Sequence, residues 1–261
     1  MELKIYQVDA FSEKVFGGNP AAVVPLEKWL SDDILQKIAL ENNLSETAFY
    51  VKEEGRYLLR WFTPTVEVDL CGHATLATSH VLFEHEGHQG DRISFYSFRS
   101  GNLNVTKTSM GLTLDFPTDT VSKAILTQDL LDCFIQKPIE AYRGNSDVVL
   151  VFNDEEQIKN IQFDLSKIAQ VQARGVIATA AGVKVDFVSR FFGPQVGVPE
   201  DPVTGSAHTT LTPIWAEKLG KNRLTAKQLS TRGGDLFCEL LGERVAISGK
   251  AETYMEGRIF I

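Results

Sequence analysis

Apolar and polar positions alternate through much of IYQVDAF (residues 5–11), AAVVPL (residues 21–26) is a short continuous apolar run, and the pattern predicts two strands around a Gly-Gly-Asn-Pro turn. Over residues 31–42 the period lengthens. Ile34, Leu35, Ile38 and Ala39 share one face, Ser31 stands at the N-cap position, and Asp32 and Asp33 suit the first turn, so a helix is expected. TAFYVKEEGRYLLRWF, from Thr47, reads as a hairpin turned at Glu54-Gly55. ATLATSHVLFEHEG, from Ala74, reads as a helix stopped at Gly87, and ISFYSF, LNVTKT and GLTLDF supply three further strands. A second long helix is expected over HTTLTPIWAEKLG, from His208, with Gly220 as its stop. Helices set among hairpins favour an α+β architecture over a doubly wound parallel sheet.

The pattern is written twice. Gly18-Asn19-Pro20 before AAVV returns as Gly144-Asn145-Ser146 before DVVL, at an offset of 126. Arg60, Phe62, Pro64, Val66 and Val68 return as Arg190, Phe192, Pro194, Val196 and Val198, at 130. Gly72 and Ala74 return as Gly205 and Ala207, at 133, and Arg99-Ser-Gly-Asn-Leu returns as Arg232-Gly-Gly-Asp-Leu. Matches in one order with slowly drifting offsets imply a duplicated α/β unit. The expected halves are residues 1–118 and 119–261, leaving the final strand open to cross into the first half.

Composition narrows the function. A net charge of −8 with no Lys/Arg cluster speaks against a nucleic-acid binder. No run approaches the ~18–20 apolar residues that span a bilayer, and MELKIYQVDAF reads as a strand rather than a signal peptide. Cys71, Cys133 and Cys238 stand at wide, unmatched spacings, which suits reduced thiols in a cytoplasmic protein.

The chemistry is sought where the copies disagree. A glycine precedes each helix, at Gly72 and Gly205, where unpaired N–H groups and the helix dipole can bind an anion; the plainer reading is relief of backbone strain. If the copies pack about a pseudo-twofold axis, the two starts would face one crevice. Beside these glycines Cys71 corresponds to Thr204, His73 to Ser206 and Glu46 to Val176, while Asp201 lies in an insertion before Gly205. Glu46 is flanked by Leu44, Ala48 and Phe49, and a carboxylate in apolar surroundings is a stronger base; a cap or strand-edge charge is the alternative.

DAFSEKVFGGNPAAVV, NLSETAF, RWFTPTVEVDLCGHATLATSHVL and PEDPVTGSAHTTL closely resemble the PhzF-like phenazine-biosynthesis isomerases, from residue 9 to the C-terminal strands. The resemblance implies the diaminopimelate-epimerase-like fold, two pseudo-symmetric halves, each a mixed or antiparallel sheet around a central helix. It implies Glu46 as acid/base, His73 and Asp201 as further catalytic groups, and Gly72, Gly205 and Ser206 as substrate-binding. The family's characterised reaction isomerises a dihydro-hydroxyanthranilate by moving a proton between ring carbons, without a cofactor. A small carboxylate substrate, no metal and a homodimer are the corresponding expectations.

Other readings remain. An epimerase or racemase of the same fold needs two bases, usually paired cysteines; Cys71 has only Thr204 opposite it in the repeat, and Cys71 reads as a structural relic. A Cys71–His73 hydrolase is disfavoured by their two-residue spacing at a helix start. A metal on Cys71, His73 and His80 is allowed by spacing, although His80 is expected on the helix surface. A non-catalytic small-molecule binder would keep the helix starts without needing the base.

Overall fold

The two apolar segments of the first 26 residues become an antiparallel pair, β1 (Glu2–Ala10) and β2 (Asn19–Leu26), with Tyr6 opposite Val23 and Ala10 opposite Asn19. Helix α1 (Asp32–Asn42) follows, then β3 (Glu46–Glu53), β4 (Arg56–Phe62), β5 (Glu67–Val68), α2 (Gly72–Glu84), β6 (Arg92–Ser97), β7 (Gly101–Thr108) and β8 (Gly111–Pro117). In this computed structural model residues 1–261 are described throughout, and they form two units, residues 1–115 with 248–261 and residues 116–247.

The later elements are β9 (Ser122–Ala124), α3 (Gln128–Asp132), β10 (Glu140–Arg143), β11 (Asp147–Val151), α4 (Glu155–Lys159), α5 (Leu165–Ile168), β12 (Gly175–Ala181) and β13 (Phe187–Gly193). A 3₁₀ turn at Pro194–Val196 leads to β14 (Val198–Asp201), α6 (Gly205–Leu219), β15 (Arg223–Gln228), β16 (Gly234–Leu241), β17 (Arg244–Gly249) and β18 (Ala251–Phe260). Strand β18 pairs antiparallel with β1 in the first unit.

The duplication is visible in the pairing of each unit. In the first, β1–β2 is antiparallel, β2–β3 parallel, β3–β4 antiparallel, β4–β6 parallel and β6–β7 antiparallel. In the second, β10–β11, β11–β12, β12–β13, β13–β15 and β15–β16 repeat those senses in the same order. The fold is α+β with a mixed sheet in each unit, as the elements imply.

Both faces of these strands are covered. In the first unit Ala22, Val24, Phe49, Leu58 and Phe62 pack with Leu35, Ile38 and Ala39 of α1. Residues of the other parity, Ala21, Val23, Ala48 and Trp61, are buried as well, and α2 lies against β1, β2 and β3. In the second unit Leu150, Val176, Ala178 and Phe192 pack with Ile158 of α4 and Ile168 of α5.

Helices α2 and α6 are buried nearly all round, which a one-sided apolar stripe would not allow. Their small polar residues make this possible by bonding back to their own helix. Thr75, Thr78 and Ser79 donate to the carbonyls of Cys71, Ala74 and Thr75, and Thr212 donates to that of His208. Pro213 sits inside α6. It cannot donate to the Thr209 carbonyl, which instead accepts the Asp119 N–H at 3.4 Å.

Three local expectations are corrected. Ser31 occupies the N-cap of α1, but its side chain makes no capping bond. Helix α2 ends at Glu84 rather than running to Gly87, because the Glu86 N–H reaches five residues back to the Val81 carbonyl, which already accepts the His85 N–H, instead of four back to Leu82. His80 is half-buried, not on an open surface, with Nε2 at 2.9 Å from Thr253 Oγ1 of β18. Gly220 does stop α6, in the left-handed conformation that glycine adopts without strain. No helix is long and apolar enough to cross a membrane.

Candidate active site

Gly72 and Gly205 are the first residues of α2 and α6. The preceding N-cap residues, Cys71 and Thr204, are extended, and neither side chain caps its helix. First-turn N–H groups that no cap takes are the natural partners of an anion. Glu46, Gly72 and His73 fall in the first unit, and Asp201, Gly205 and Ser206 in the second.

In the first unit, Glu46 opens β3 beside Ala21 of β2, and His73 lies in the first turn of α2. This topology brings His73 Nε2 to 3.1 Å from Glu46 Oε2. On the ring's other edge, Nδ1 lies 3.5 Å from Cys71 Sγ and 3.3 Å from Asn19 Nδ2. His73, Cys71 and Asn19 are all buried. Burial raises the Cys71 thiol, and Glu46 raises it further, so the thiol keeps its proton at neutral pH. Burial alone would lower His73, but Cys71 and Glu46 outweigh it and hold the ring well above its ordinary value. A neutral thiol carries no charge to hold that proton, so the effect rests on the Glu46 carboxylate.

The second unit places different chemistry at the matching helix start. Ser206 Oγ accepts from Arg174 Nη1 at 3.0 Å, and Arg174 is clamped on the fully buried Asp147 at 2.9 and 2.5 Å. Burial works against the Arg174 charge, but Asp147 foremost, then Asp201 and Asp119, hold it above the usual range. Asp201 Oδ2 accepts from Thr204 Oγ1 at 2.5 Å. Buried Gln228 pins the segment between them, donating to the Asp201 carbonyl at 2.7 Å and accepting from the Thr204 N–H at 2.9 Å.

Sequence reasoning missed Asn19, Arg174, Asp147 and Gln228. Asn19 was visible only as part of a repeated turn, and Arg174 precedes a strand with no motif of its own. Each acts through a contact made across 24 residues or more of chain.

Glu46, Cys71 and His73 also offer one carboxylate oxygen, one sulfur and one ring nitrogen within 4.8 Å of one another. This trio replaces Cys71, His73 and His80 as the set to test for a metal. Sulfur faces Nδ1 and the carboxylate faces Nε2, on opposite edges of the ring. One cation at bond lengths of about 2.0–2.3 Å cannot take all three donors without turning the imidazole. The arrangement fits a proton better than a metal.

Comparison with known proteins identifies the family. The family model described as phenazine biosynthesis-like protein, PhzC-PhzF, matches residues 8–257. An uncharacterized isomerase of Pseudomonas aeruginosa is 50% identical over 261 residues, covering 100% of both chains. The crystal structure of a phenazine biosynthesis protein of the PhzF family from Enterococcus faecalis matches with a TM-score of 0.97 at 47% identity, covering 100% of both chains. A hydroxyproline epimerase from Agrobacterium vitis matches with a TM-score of 0.61 at 9% identity, covering 99% of this chain and 92% of its own, and shares the fold alone.

Proposed function

The chain belongs to the phenazine biosynthesis-like family of isomerases, and from that premise we propose that it moves a proton between two carbons of a small carboxylated, unsaturated metabolite without a cofactor. The observation that carries the reading is the pairing of buried His73 with half-buried Glu46, 3.1 Å apart at a helix start. Glu46 takes the proton from carbon and returns it elsewhere on the same face. His73 and Asp201 hydrogen-bond the substrate's polar groups as charge spreads, a role that lowers the barrier as well as aiding binding. One carboxylate base suffices for such a shift, whereas an epimerase needs a second base, and the thiol position of Cys71 has Thr204 as its counterpart.

In this reading the Gly72 and Gly205 N–H groups and Ser206 bind the substrate carboxylate. Arg174 donates into the Ser206 oxygen, which leaves the hydroxyl hydrogen to be given to an anion. A cytosolic homodimer completes the proposal, and light scattering of the purified protein checks the dimer.

The test is deuterium wash-in. The protein is incubated in deuterated water with a dihydro-hydroxyanthranilate, conjugated diene carboxylates and amino acids, and carbon-bound deuterium is followed by NMR. Incorporation at a diene carboxylate with a shifted double bond is the expected result. Exchange confined to an amino-acid α-carbon would make the protein an epimerase, and no exchange would make it a binder.

A further inference from the structure

We infer that Asn19 is a positioning residue that fixes the proton of His73 on Nε2, facing Glu46. Asn19 is fully buried, and its Nδ2 lies 3.3 Å from His73 Nδ1. An amide nitrogen donates and cannot accept, so the ring nitrogen opposite it must supply the lone pair. When the ring, held charged above its ordinary range, gives up one proton, the one that remains sits on Nε2, 3.1 Å from Glu46 Oε2. The Cys71 thiol, 3.5 Å from the same Nδ1, is a second and weaker donor to that lone pair. The opposite tautomer would set the Nε2 lone pair against the Glu46 carboxylate, two acceptors in contact, and would point an N–H at the Asn19 amide.

The approach of Asn19 is built into the preceding loop. Phe11 and Phe16 have positive φ of 62° and 70°, and the Phe16 N–H is held by Asp9 Oδ2 at 2.7 Å. Gly18 has φ of 63°, and a Cβ there would lie 2.1 Å from the Ala10 carbonyl oxygen. Strain of this kind persists where the surroundings over-determine it, and its product here is the position of the amide. The second copy supplies the control. Its counterpart Asn145 is exposed with its N–H turned to Asp119, and Ser206, which has no tautomer, stands where the first copy has His73. The asparagine is buried in the copy that has a ring to orient.

Only the catalytic consequence rests on the Glu46–His73 reading: a proton kept on Nε2 stays beside the Glu46 carboxylate that takes the substrate proton. The test is made without substrate, so the two ideas fail separately. The full-length protein, labelled with ¹⁵N in its five histidines, is titrated upward from pH 7 and followed by long-range ¹H–¹⁵N NMR until the His73 ring loses its charge. The His73 signals are assigned by their loss in His73→Gln. The expected spectrum of the neutral ring has an unprotonated Nδ1 and a protonated Nε2. Asn19→Asp puts an acceptor at Nδ1 and shifts that nitrogen to the protonated position. A parent ring that loses the Nε2 proton and keeps the one on Nδ1 overturns the inference, as does one that keeps both protons until the protein unfolds in base, or a folded Asn19→Asp protein with unchanged ring shifts. Should Asn19→Asp fail to fold, the parent spectrum decides alone.

Discussion

The starts of α2 and α6 are the same backbone carrying opposite chemistry. Each opens on a glycine after an extended, non-capping residue in a nearly buried helix. Beside the first stand Glu46, His73 and Cys71, with no Arg or Lys among the neighbours of the ring. Beside the second stands Ser206, tied to a guanidinium that a buried carboxylate holds in place. In the proposed function, one start exchanges a proton and the other meets an anion. Duplication kept the donors that packing supplies in both copies and let the side chains diverge.

Two buried histidines sharpen the contrast. His73 has a carboxylate at Nε2 and is held above its ordinary value, whereas His208 has only the Thr204 carbonyl at Nδ1, and burial lowers it to about 4. Similar burial in similar helices gives opposite outcomes because only one ring has a charged partner.

The strongest way to break the comparison is Glu46→Gln. It keeps size and hydrogen bonding but cannot accept a proton, so deuterium wash-in should fall by ~10²- to 10⁴-fold with ligand binding nearly unchanged. Parental exchange by this variant, on a compound that the parent deuterates, would move the base to Cys71 or Asp201.

Next is acid stability. The unfolded chain protonates His208 near the ordinary 6.5, before the folded chain does at about 4. This contribution is whole above pH 6.5 and is lost as pH falls through that window, amounting to about 3 kcal/mol by pH 4. Denaturant melts from pH 7 to 4 should show a shallower loss in His208→Gln; parallel losses in both proteins would show that the histidine is not responsible.

Ser206→Ala removes one hydrogen bond to a charged ligand, worth roughly 1.5–3 kcal/mol, so carboxylate affinity should drop about tenfold or more. In the parent, titrated carboxylate should move the backbone amide signals of Gly72, His73, Gly205 and Ser206; unmoved signals would remove the anion role from both helix starts. The smallest effect is expected from Cys71→Ser. Its thiol is buried and raised, and loss of more than about tenfold in wash-in would give it a direct part in proton transfer.

Several features were legible because they depend on neighbours in sequence. The strands and the αL stop at Gly220 follow from periodicity and backbone sterics, and the second helix was legible even across Pro213. Its survival, however, depends on the Asp119 N–H, which reaches the Thr209 carbonyl from 90 residues away in the chain. The family motifs singled out Glu46 and His73, but spacing suggested His80 as the third member of a possible metal set. A strand pairing supplied Glu46 instead: β3 runs parallel to β2, which seats its first residue beside Ala21.

The sequence by itself determined the duplicated α+β plan and the identities of the groups that differ between the copies, because glycine, proline and hydrophobic period act locally. Only the tertiary structure decided how those groups are held. Asn19 meets His73 across 54 residues and Arg174 meets Ser206 across 32, contacts created by strand order and loop strain. The proton and charge of a buried side chain depend on atoms within about 3–4 Å of it, and those neighbours are chosen by folding.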